Sequence, residues 1–280
     1  MVIPLQRSSR LRRVRWVWVL AVCAGRLAGK AGPVLVEGDL AGIVTGVGAP
    51  GGSARMVTAS WITRRPLALG GWYWSGGVQA ENFSFSNDRV IGLRRLQDYA
   101  AVLSLEYFAG AENVAALTVR PGWYFENRVS SAAWDIPVEL TTGVPLTKSL
   151  SGVVGFSNSR FYHHALPIFG VVWTSSPRLR FELVYPEPAV VFTLSPAMQL
   201  RLGGELTGAG FLSDARPVRT VVEYTSYRVG AEWSDTWRPG FKLALGAGVE
   251  AERTFDFFRR QGRVHGGGAG YLKISATYSR

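Results

Sequence analysis

The chain has 280 residues and a formal net charge of +11, from 31 Lys and Arg against 20 Asp and Glu. A hydrophobic share of 47% beside 18% charged residues excludes intrinsic disorder, which needs the opposite balance. A single cysteine, Cys23, excludes an intrachain disulfide and a cysteine-based metal site.

The charge is concentrated at the N-terminus. Arg7, Arg10, Arg12, Arg13, Arg15, Arg26 and Lys30 all precede the first acid, Glu37. The rest carries 24 basic against 20 acidic residues, which leaves no basic stripe for a nucleic acid. Arg7 to Arg15 reads as a basic n-region and Trp16 to Ala24 as a short apolar h-region, followed by small residues. That is the pattern of a secretory signal, expected over residues 1–31 with cleavage near 24–31. Leu20-Ala-Val-Cys23 half-matches a lipoprotein box, but bulky Val22 stands where Gly or Ala is usual, so lipidation of Cys23 is not the reading taken. No run of 18 apolar residues follows residue 30, which excludes helical membrane spans.

Residues 32–280 are read as one domain that alternates with period two. Strands are expected near residues 34–45, 55–65, 69–86, 98–108, 113–125, 134–143, 149–158, 167–174, 178–185, 188–194, 198–207, 217–233, 240–257 and 268–279. In one window Leu179, Phe181, Leu183 and Tyr185 oppose Arg180, Glu182 and Val184. In another, Phe241 through Val249 oppose Lys242, Gly246, Gly248, Glu250 and Glu252. Runs of nearly ten residues exceed the five or six typical of soluble strands and suit a transmembrane strand. Short and long connections alternate, except at Pro186–Pro188, which is short where a long one is due. These features predict an all-β fold: an antiparallel transmembrane β-barrel of about 12–14 strands, with short periplasmic turns and longer extracellular loops. A soluble exported β-barrel or sandwich that binds a ligand is the competing architecture. Trp72, Trp74, Trp123, Tyr124, Trp173, Tyr185, Trp233, Trp237, Tyr271 and Tyr278 lie near strand ends and are expected to form interface girdles.

The alternation assigns twelve charged residues to the lumen: Glu139, Arg180, Glu182, Arg201, Glu205, Arg219, Glu223, Arg228, Glu232, Lys242, Glu250 and Lys273. Charge costs least there, because a lipid-facing Arg at the midplane costs about 2–4 kcal/mol. The near balance of signs favours Arg–Glu networks that close the lumen over a wide aqueous channel. The partners expected are outer-membrane lipid and, during insertion, the barrel-assembly machinery.

Two stretches, Ala165–Pro188 and Phe192–Glu205, resemble an uncharacterised family of bacterial outer-membrane β-barrels. Its pattern is LPxxGxxWxPSxRWRLELxxPxP followed by xLSxxxxLxxGGE. Tyr227–Trp233 and Pro121–Tyr124 resemble further motifs of that family, and the similarity spans about Met56 to Tyr278. The resemblance implies the barrel fold and export, and no activity. The chain departs from it at Leu179, where Trp is usual, and at its Tyr278-Ser-Arg280 end, where such barrels commonly finish in Phe or Trp.

Chemical motifs are weak. Gly46-Val-Gly-Ala-Pro-Gly51 matches a dinucleotide fingerprint, but Pro50, Gly51 and Gly52 continue into a strand, not the helix such a site needs. His265-Gly-Gly-Gly268 resembles an esterase oxyanion motif, but the chain has no G-x-S-x-G elbow. His163 and His164, with Asp135 and several Ser elsewhere, allow an alternative: an outer-membrane lipid-modifying enzyme with a rim histidine. The reading taken is non-enzymatic, with no catalytic residue, metal or cofactor: a narrow passive channel or a structural barrel.

Overall fold

The computed structural model describes residues 35–45, 53–67, 70–86, 93–109, 112–162, 164–214, 220–258, 263–266 and 268–279. The predicted signal, the 46–51 fingerprint, His163 and Arg219 lie outside them. The strand segments in chain order are β1 Leu35–Thr45, β2 Ala54–Pro66, β3 Trp72–Phe85, β4 Arg95–Ala109, β5 Glu112–Val119 and β6 Gly122–Phe125. Then come β7 Trp134–Asp135, β8 Val138–Pro145, β9 Leu150–Asn158, β10 Leu166–Ser176, β11 Leu179–Tyr185 and β12 Ala189–Thr193. The last are β13 Met198–Ser213, β14 Thr220–Arg238, β15 Phe241–Phe257, β16 Arg263–Gly266 and β17 Ala269–Ser279. Three strands are interrupted: β5 with β6, β7 with β8, and β16 with β17. The first two breaks fall at Pro121 and Pro137, which have no N–H for a ladder. Counted this way the barrel has 14 strands, each antiparallel to its neighbour, and β1 pairs with β17 to close the ring.

Around its waist the barrel is inside-out relative to a soluble protein. Val78, Leu103 and Leu272 are 62%, 46% and 69% exposed on the outer face. Glu106, Glu139 and Glu250 are almost wholly buried on the inner face. Only a solvent of hydrocarbon makes that arrangement favourable on both faces. Trp72, Trp74, Trp123, Trp173, Tyr185, Trp233, Trp237 and Tyr278 stand on the outer face, as a girdle requires. Tyr124 and Tyr271 do not. Tyr124 belongs to the internal core, and Tyr271 lies flat across the β15–β14 inner wall. Its ring needs Gly248 and Gly230 there, since a Cβ at either would come within 2.8 Å or 2.4 Å of it.

Above the waist, on the long-loop side, the polarity of the strands swaps. On β3 the inner residues change from Ser75, Gln79 and Glu81 to Phe83 and Phe85, while the outer ones change from Trp74 and Val78 to Asn82 and Ser84. On β15 the inner residues become Phe255 and Phe257, and the outer ones Glu252, Thr254 and Asp256. This crown is apolar inside and polar outside, as expected of strands that have left the membrane for water. The crown also explains why β13 runs past residue 207, the end expected from sequence, to Ser213.

The short Pro186–Pro188 connection leaves β11 and β12 at 7 and 5 residues, beside a 16-residue β13. The upper half of β13 therefore has no strand on that side. It meets substitutes instead. Gly204 and Leu206 donate their N–H groups to the carbonyls of Pro188 and Pro186 at 2.8 and 3.0 Å, and the Tyr162 hydroxyl donates to the Gly208 carbonyl at 3.1 Å. At its end β13 reaches β6: Leu212 pairs with Phe125 in a parallel bridge, and the Glu126 N–H donates to the Leu212 carbonyl. The crown thus closes as a smaller ring that skips β7 to β12. A ring of fewer strands has an interior that side chains alone can fill.

Candidate functional site: the lumen

The lower lumen is built from inward positions of adjacent strands, where register places opposite charges side by side. Arg64 on β2 reaches Glu106 on β4 at 3.2 Å across Ser75, to which it also donates. Arg120 meets Glu139 at 3.0 Å. Arg180 pairs with Glu182 two residues along β11, and Arg201 lies 3.8 Å from the same carboxylate. Glu205 and Arg228 face each other in register at 3.7 Å. Glu250 is held by Arg228 and Arg253, each at 3.2 Å, and by the Ser226 hydroxyl. Lys273 crosses Gly246 to reach Glu232 at 2.5 Å.

Ten of the twelve residues assigned to the lumen from sequence stand on the inner face: Glu139, Arg180, Glu182, Arg201, Glu205, Arg228, Glu232, Lys242, Glu250 and Lys273. Glu223 needs correction. It alternates with Val222 and Tyr224, which fill the crown, so it faces outward into the crown's polar surface. Glu252 is likewise outward. A bulge at Ala251 changes the phase of β15, so Tyr227 opposes Glu252 while Arg228 opposes Glu250. The same bulge brings Arg253 inward beside Glu250, a residue that strict alternation misses. The sequence reading also left out Arg64, Glu106 and Arg120, which the structure places in the same paired layer.

The charges are buried as well as paired. Arg64, Glu106, Arg120, Glu139, Arg228, Glu250 and Arg253 are each 7% exposed or less. A wide water-filled lumen would leave such side chains wet. Paired, they avoid the several kcal/mol that an isolated buried ion costs.

Over this layer sits the apolar core of the crown. Phe83, Phe211, Tyr224, Phe85 and Phe255 form a chain of ring contacts with centroids 5.0–5.8 Å apart. Phe161, from the β9–β10 loop, belongs to the same buried cluster and packs against β13 at Gly210, its backbone and Cβ so close that a side chain there would collide. A latch holds the ring shut: Glu126 accepts from the Ser213 hydroxyl and the Asp214 N–H, both at 2.8 Å.

The candidate rim chemistry is used structurally. The Ser159 hydroxyl donates to Asp135 at 2.5 Å and accepts from the Phe161 N–H, which fixes the turn that seats Phe161. A serine aimed at a carboxylate has no imidazole between to take its proton. His164 is exposed in that loop. His265 lies 3.0 Å from Glu252 on the exposed rim, next to an Arg263–Asp256 pair at 2.9 Å. Among the described residues no group of three or more His, Cys, Asp or Glu could hold a metal ion.

No protein-family profile and no curated protein matches the chain. Among solved structures it is similar to an outer-membrane channel from Pseudomonas putida F1, at 11% identity over 90% of this chain and 97% of that one, with a TM-score of 0.45. It is also similar to the KdgM porin in complex with disordered oligogalacturonate, at 10% identity over 86% and 98%, with a TM-score of 0.37. A third is the TodX deltaS2S3 mutant monoaromatic hydrocarbon channel, at 10% identity over 90% and 91%, with a TM-score of 0.40. The barrel assignment itself rests on this chain's own strand pairing and inverted polarity.

Proposed function

We propose that the chain is a non-enzymatic barrel of the bacterial outer membrane, a narrow passive channel that is closed at rest and conducts only when the core of its crown is displaced. The observation that carries this reading is the stacking of two seals along one axis: a buried Arg–Glu layer and, above it, an aromatic stopper. The outward apolar belt supports the membrane assignment, and the structural use of Ser159 and Asp135 supports the absence of catalysis.

Planar-bilayer recording tests it. The wild-type barrel is expected to be silent at moderate voltage. A Phe211→Ala/Phe255→Ala variant, which empties the centre of the stopper, is expected to give discrete conductance steps while still migrating as a folded barrel. Steady conductance from the wild type would show an open pore and overturn the reading. Silence from a folded double variant would favour a purely structural barrel, for which the buried ion-pair layer is the supporting observation.

A further inference from the structure

The outer face of β2, β3 and β4 changes character at one row. Arg55 is in register with Ser84, and Ser84 with Arg95. The three side chains therefore stand abreast, with the two arginine Cα atoms roughly 10 Å apart by two strand spacings. Both arginines are exposed, and among the described residues neither has a carboxylate within ion-pair distance. Ser84 lies where the outer face turns from belt to crown, at the membrane surface on the long-loop side.

Two apolar grooves lead away from this row. One runs down β2–β4, with a floor of Ala59, Ala80 and Ala101 between the rings of Trp61, Tyr99 and Trp123. Ala80 is four residues below Ser84 on β3, about 13 Å along the strand. The other crosses from β14 to β2 over Gly42, Ala231 and Ala247, between Leu245 and Leu272, and ends at Arg55 itself. Small residues make the floors because larger neighbours on the same rows make the walls. Groove and cation row together are amphipathic in the sense that a lipid is: hydrocarbon first, anion at the surface.

We propose that this face binds a phosphorylated glycolipid with several acyl chains from the leaflet on the long-loop side, its phosphate seated on Arg55, Ser84 and Arg95 and its chains in both grooves. Several chains are required because the grooves diverge on either side of β2, and a diacyl phospholipid fills one of them. Arginine suits the headgroup because its fork meets phosphate oxygens two at a time. The proposal rests on the outer-membrane reading above and adds a specific lipid to it.

The test uses the full chain folded in mild detergent, with binding followed by native mass spectrometry. The probes are bisphosphorylated hexa-acyl lipid A, the same lipid without phosphates, and phosphatidylglycerol. Lipid A is expected to bind one per barrel. Removing its phosphates, or introducing Arg55→Gln together with Arg95→Gln, is expected to weaken binding about thirty-fold. Filling the floor with Ala80→Leu is expected to weaken it as well, with the arginines intact. Equal binding of phosphatidylglycerol, or full affinity in the double arginine variant, overturns the proposal. Failure of the outer-membrane reading is distinguishable, because the chain would then fold and stay soluble without detergent.

Discussion

The strands that run through both belt and crown keep the same pleat, yet each of their faces carries opposite chemistry in the two zones. In the belt Leu245 and Val249 point out and Glu250 points in; a few residues further along β15, Asp256 points out and Phe255 and Phe257 point in. The backbone geometry does not change at the boundary beyond one bulge. What changes is the solvent outside, hydrocarbon below and water above, and the size of the ring inside. A wide ring facing lipid keeps its polar groups within and pairs them. A narrow ring facing water buries rings of Phe and Tyr, as any small soluble core does.

On that contrast, damage to the belt's interior is expected to be the most severe. Arg228→Ala leaves Glu205 and Glu250 facing each other without the cation between them, and is expected to cost about 3–5 kcal/mol in urea unfolding of the lipid-embedded barrel. A loss under 1 kcal/mol would mean that water already reaches this layer. Next is the belt's exterior. Leu103→Arg puts a charge at mid-height on the outer face and should cost about 2–4 kcal/mol in bilayers. The same substitution tolerated there would sink the claim that this face meets hydrocarbon.

The crown gives the smaller effects. Ser213→Ala removes one donor to Glu126 and should cost about 1 kcal/mol, with faster hydrogen exchange along the upper half of β13 as the specific readout. Exchange accelerated evenly over the barrel would mean that the latch is no local device. Last, Arg263→Ala breaks an exposed rim pair and is expected to change stability by less than about 0.5 kcal/mol. A large loss there would move the rim into the structural core.

The belt was legible in the sequence because alternation is local: Arg180–Glu182 against Phe181–Leu183 states both faces within four residues. The expected range of 12–14 strands came from the same signal, and the structure has 14. The crown was not legible as a unit, because its core is assembled from eight strand segments and two loops that lie far apart in the chain. Glu223 shows the cost. Read by charge alone it belongs to the lumen, and only the aromatic neighbours it alternates with reveal that the zone has changed. Arg253 shows the other limit, since a single inserted residue at a bulge leaves no mark in a sequence but exchanges the faces of everything after it. Pro186–Pro188 was visible as an exception, though its meaning depended on what β13 does in its place.

The low side of the barrel has a consequence for its surroundings. Five residues of β12 extend about 17 Å along the strand, and less along the membrane normal once the strand tilts. A typical outer-membrane barrel shows lipid an apolar band about 25 Å tall. Beside β11 and β12 the strands alone span less than that band, so local thinning of the bilayer is expected on this flank and not around the rest of the barrel. Such a flank would give the molecule a fixed azimuth in the membrane, a mechanical mark on the lipid.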